Sequence, residues 1–218
     1  MRTHHAALAG LLLGTLTLAA RGQADKTYPT PQAVFEAATA AQKKDDFKTL
    51  VACFAPEAQK QMAAGLAFTA LGQQVAARND EKLRKQFKAI LDALDKHGLT
   101  DEVTKKIKPP ADAKEAEKVQ REVQGLIKDP AALAVDLMTA YSKTEPFNRK
   151  PPDMPEPKLT DVKIDGDKAT ATVVRTVKGD DKGKDVVSKE SMRFVKVDGG
   201  WRLARRFAPD APKEDSKD

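Results

Sequence analysis

Two carboxylates stand apart in this 218-residue chain. It holds 32 Asp plus Glu, and nearly all of them sit beside lysines or in turn-forming stretches. Glu36, in Ala33-Val-Phe-Glu-Ala-Ala38, and Asp136, in Leu133-Ala-Val-Asp-Leu-Met138, are instead flanked by small or apolar neighbours. Burial penalises the charged form and raises a carboxyl pKa, and a raised carboxylate suits general-base work. A phenol beside such a base would donate to a developing oxyanion. The chain offers Tyr28, ahead of the first predicted helix, and Tyr141, in an apolar helical stretch where packing is the default expectation. Phe194 and Trp201 would supply aromatic walls, with a core role as the default for both. Glu36, Asp136, Tyr141, Phe194 and Trp201 are therefore the candidates for lining a ligand pocket. None is assigned a catalytic role.

Other chemistries find no footing. His97 is the one histidine beyond the first 24 residues. It lies in Asp95-Lys-His-Gly98 at a predicted helix C-terminus, where the helix dipole favours imidazolium. No His/Cys cluster is spaced for zinc. Asp180-Asp-Lys-Gly-Lys-Asp185 is acidic but lacks the ligand spacing of a calcium loop. There is no Gly-x-Ser-x-Gly elbow and no phosphate-cradling glycine loop. Neither a metal nor a cofactor is expected. Cys53 is the sole cysteine, which excludes an intramolecular disulfide. It sits in Phe47-Lys-Thr-Leu-Val-Ala-Cys-Phe54, a run that reads as buried helix.

The elements that must hold these residues fall into two groups. Helical signals fill residues 30 to 144. Thr30-Pro31 is a cap followed by proline at the first helical position. Asp45 or Asp46 caps a second helix, on which Phe47, Leu50, Val51 and Phe54 share a face. Pro56 opens a third, weakened by Gly65 and Gly72. Asn79 caps a fourth, whose stripe is Leu83, Phe87, Ile90, Leu91 and Leu94 and whose stop is Gly98. Thr100 starts a short helix, a charged segment spans 113 to 128, and Asp129-Pro130 starts a core-like helix through Tyr141. Five prolines between Glu145 and Lys158 predict an extended connector.

Strands follow from Leu159 onward. Asp165-Gly166 and Asp198-Gly199-Gly200 are hairpin signals. Ala169, Ala171 and Val173 alternate with Thr170 and Thr172, the period of a half-buried strand. The expected fold is α+β: N-terminal helices followed by a curved antiparallel sheet of about four strands.

The first 24 residues read as a cleavable signal peptide. Arg2 precedes an uncharged run from Ala6 to Ala20, and Gly22-Gln23-Ala24 offers small residues for cleavage. Fifteen residues fall short of the roughly 20 that span a bilayer. Removing Arg2 and Arg21 lowers the net charge from +6 to +4. That small excess, with aromatics at 5%, argues against a nucleic-acid surface. The expectation is a secreted or periplasmic protein, off the membrane after cleavage. It comprises one α+β domain over 25–207 and a disordered tail over 208–218.

Thr30-Pro-Gln-Ala-Val-Phe-Glu-Ala-Ala38 with Lys43-Lys-Asp-Asp-Phe-Lys-Thr-Leu50 resembles the opening helices of the nuclear transport factor 2-like superfamily. Val162 to Val173 and Met192 to Leu203 resemble its closing strands, where a tryptophan packs the sheet onto the helices. The resemblance implies a cone-shaped domain, and 79–130 stands out as an added helical insertion. It also implies a pocket that in ketosteroid isomerase-like relatives does proton transfer. With the usual catalytic residues missing, the expected role is a non-catalytic module. It would bind a small apolar ligand or a protein partner, a second copy included. A carboxylate-based isomerase or hydratase is the alternative.

Overall fold

The structure is a computed structural model that describes residues 27–107, 112–147, 155–177 and 186–204. The predicted signal peptide, most of the proline-rich connector, the acidic loop 180–185 and the tail lie outside them. Among the described residues eight helices precede four strands, α1 Pro31–Lys43, α2 Phe47–Ala52, α3 Pro56–Ala77, α4 Glu81–Gln86, α5 Lys88–Lys96, α6 Asp101–Thr104, α7 Ala113–Leu126, α8 Pro130–Lys143, then β1 Lys158–Asp165, β2 Lys168–Val177, β3 Val186–Val197 and β4 Gly200–Leu203. The fold is α+β, as its sequence predicts.

Side-chain caps start most of the helices. Thr30 accepts from the Ala33 amide, Asp46 from Thr49, Asp112 from Glu115 and Asp129 from Ala132. Each satisfies an amide that the first turn leaves without a helical partner. Two expectations need correcting. Asp80, not Asn79, caps the fourth helix, through the Leu83 amide. That helix also ends at Gln86, and a fresh one begins at Lys88. Gly65 and Gly72 do not interrupt α3, which runs through both. Thr100 precedes α6 but makes no side-chain cap bond.

The strands form one open antiparallel sheet in the order β1-β2-β3-β4. β2 and β3 pair without interruption from Lys168↔Val195 to Val177↔Val186. Both tight turns have the backbone that twisted strands demand. Gly166 has φ 56°, while Asp198 and Gly199 have φ 49° and 80°. β1 carries a bulge between Thr160 and Lys163, where Asp161 takes φ 52°.

One face of the sheet is apolar and meets the helices. Ala169, Ala171, Val173, Met192, Phe194, Trp201 and Leu203 are buried there. α1 packs against β4, and α2 links α1 to α8. Behind them α3 lies against α8, α7 and α5. Ile90, Leu94, Leu99 and Val123 join the same buried cluster as the sheet residues, so the described part of the 79–130 region packs on the core rather than standing off as an arm.

The β4 edge is sealed by distant chain. The Trp201 amide donates to the Tyr28 carbonyl at 2.8 Å, the Leu203 amide to Cys53 at 2.9 Å, and the Ala55 amide to Leu203 at 2.8 Å. A Cβ on Gly200 would sit 3.1 Å from the Thr27 Cα, so glycine admits this close approach. Cys53 is fully buried, and its thiol donates to the Tyr28 hydroxyl at 3.5 Å.

Candidate functional site

The five pocket candidates do not converge. Phe194 and Trp201 are core, at 1% and 5% exposure. Glu36 is exposed on α1, where it accepts from the Gln32 amide nitrogen at 2.7 Å. Tyr141 packs edge-on to Phe147, with centroids 5.2 Å apart. Burial pushes its phenol up to about 12, weakly opposed by nearby Gln73. The hydroxyl has no well-formed hydrogen bond among the described residues.

Asp136 lies on α8, against α5. Its Oδ2 accepts from Lys96 Nζ and from His97 Nε2, each at 2.7 Å. Sequence reasoning kept His97 and Asp136 apart, and the packing of α5 on α8 joins them. Desolvation is the largest single influence on the Asp136 carboxyl and raises it, but hydrogen bonds and charge from Lys96 and His97 together hold it below its ordinary 3.8. A general base needs a pKa near the working pH, and this carboxylate is pulled the other way. The pair is a helix clasp. A depressed folded pKa means stability that is present above the unfolded value and lost as pH falls through the folded one. Asp136→Asn should therefore cost about 1–2 kcal/mol at neutral pH. The deficit should fade in acid below 3.8. Urea unfolding of both proteins at the two pH values checks this, and an undiminished deficit in acid would refute the ionic origin.

A hollow of about 670 Å³ opens where α3 ends and the chain folds back through α4, α5 and α6. Three cations, Arg78, Arg84 and Lys105, and three anions, Asp95, Asp101 and Glu102, share its wall. Gln74, on its wall, belongs to a buried polar chain: Thr104 Oγ1 donates to Gln74 Oε1 at 2.6 Å, and Gln74 Nε2 donates to the Leu99 carbonyl at 3.4 Å. Asp101 is saturated. Arg78 Nε reaches its Oδ1 at 2.6 Å and Lys105 Nζ its Oδ2 at 3.0 Å. Bonds from Lys105 and Arg78 hold its carboxyl below the ordinary value.

The other charges are less engaged. Arg84 Nη2 donates to the Arg78 carbonyl at 2.6 Å, and Arg84 has no carboxylate partner among the described residues. Asp95 has no cation there either; burial, then repulsion from Asp92 and Asp101, pushes its carboxyl up. Arg78 Nη2 is buried without a hydrogen bond among the described residues. Arg84 and Asp95 thus line one hollow without a partner of opposite charge among the described residues. Such a wall can hold a small molecule that carries both signs.

Nothing in the sequence marked this hollow. Its residues come from four helices and the links between them, and each charged one reads as ordinary surface. The sole hint is the i,i+4 spacing of Asp101 and Lys105. Among the described residues no three His, Cys, Asp or Glu side chains are grouped to hold a metal, and no helix is long and apolar enough to cross a membrane. Comparison with protein-family models, curated proteins and solved structures finds no match.

Proposed function

We propose that this chain is an exported, non-catalytic module that binds a small ligand, with the hollow at the α3–α6 corner as its seat. The observation that carries the reading is the unpaired Arg84 and Asp95 on one wall of about 670 Å³. That volume lies within the usual range of ligand pockets, about 300–1,000 Å³. Six charged side chains on the wall favour a polar ligand over the apolar one expected from the sequence. A zwitterion the size of a di- or tripeptide would offer an ammonium to Asp95 and a carboxylate to Arg84. Export rests on the leader-like first 24 residues, and the helix-then-sheet order supports the likeness to the nuclear transport factor 2-like superfamily. A carboxylate-based isomerase is less well supported, because Glu36 is exposed and Asp136 is clasped by Lys96 and His97.

Backbone amide shifts on titration with free trialanine provide the test. The expected result is saturable shifts around residues 78–105, absent with the acetylated and amidated peptide and weakened about tenfold by Arg84→Gln, the loss of one charge-assisted contact. Saturable shifts elsewhere, or none, would overturn the seat.

A further inference from the structure

The two edges of the sheet are finished differently. β4 is closed by Tyr28, Cys53 and Ala55, whereas among the described residues no strand lies beyond β1. Val162 and Ile164 on β1 are 41% and 59% exposed. Ile164 pairs with Ala169 and Leu159 with Val173. Both partners are buried, so Ile164 and Leu159 lie on the apolar face, at an edge the helices barely reach.

Alternation in an antiparallel ladder decides which backbone groups are left over. Asp165 and Lys168 flank a two-residue turn, so Asp165 bonds inward and Ile164 presents its amide and carbonyl to the open edge. Beyond the bulge, Thr160↔Thr172 and Lys158↔Val174 keep step with Lys163↔Thr170. Leu159 therefore presents its groups to the same edge.

We infer that β1 pairs antiparallel with β1 of a second copy, which joins two four-stranded sheets into one. The register that places Leu159 opposite Ile164 also places Lys158 opposite Asp165, each twice by symmetry. Apolar residues then meet on the covered face and opposite charges meet at both ends. Thr160 falls opposite Lys163, so no like charges face each other. The bulge residues Asp161 and Val162 fall on the dyad, and the regular segments stay in step on either side. Lysines and bulges are common guards against indiscriminate edge pairing; here the register with Leu159 opposite Ile164 satisfies charge, face and backbone together along the whole of β1.

Sedimentation velocity of the purified protein over a range of concentrations tests the inference. The expected result is a reversible monomer–dimer equilibrium. Lys158→Asp and Asp165→Lys should each weaken it about tenfold, since each turns two attractive pairs into repulsive ones. The double variant should restore it to within about threefold. Asp165→Lys also faces Lys168 across the hairpin, so its melting curve is read beside its sedimentation. Amide exchange of the unaltered protein gives a second reading, with protection at Leu159 and Ile164 that grows with concentration. A monomer at every concentration, a dimer indifferent to both single changes, or a double variant no better than the singles would each overturn it.

Discussion

Phe194→Ala is expected to lower unfolding stability by about 3–5 kcal/mol, as core aromatic truncations do. The ring is 1% exposed and lies between Ala169 on β2 and Leu203 on β4. Ala169 is small, so the ring occupies room that no neighbour can refill. The sheet backbone is pinned on both sides by paired strands and cannot collapse inward. Both terms of a large-to-small change, lost transfer energy and a persistent cavity, should therefore appear in full. Urea unfolding measures it, and a loss under about 1 kcal/mol would mean that the sheet face is not packed as described.

Leu137→Ala should follow closely, at about 2–5 kcal/mol. Leu137 is fully buried on α8, next in sequence to Asp136. The comparison decides what holds α8 in place. Asp136 is bonded to Lys96 and His97, but its side chain and that of Lys96 keep 28% and 66% of their exposure. Water screens such pairs. The leucine sits in a dry cluster where each lost contact goes uncompensated. Measured side by side at neutral pH, the leucine variant should lose more than Asp136→Asn. The reverse order would make the clasp, not the core, the main fastening of α5 to α8.

Where a signal was local, the sequence carried it. Thr30, Asp46 and Asp129 announced helix starts because a cap acts on amides three residues away. Gly166 and Gly199 announced turns because few other residues take positive φ. The break at Phe87 was hidden. Leu83, Phe87, Ile90, Leu91 and Leu94 make an unbroken helical stripe with no glycine or proline within it. Packing, not propensity, divides it: α5 buries Ile90, Ala93 and Leu94, while α4 buries nothing. The Asp136–His97 pair was hidden for a different reason, since 39 positions separate the partners. The hollow was less legible still. It depends on which charges fail to meet, and composition has no record of that.

The seam along β4 has a consequence for the order of assembly. The last described strand is hydrogen-bonded to Tyr28 and to Cys53 and Ala55, contacts that close loops of some 150 residues or more. Contacts so far apart in sequence form late. A nascent chain that stops short of Trp201 therefore leaves Tyr28, Cys53 and Phe54 without the strand that pairs with them. Such an unfinished product advertises itself as exposed apolar surface. A finished one hides it in the step that joins β4 to the segments around Tyr28 and Cys53.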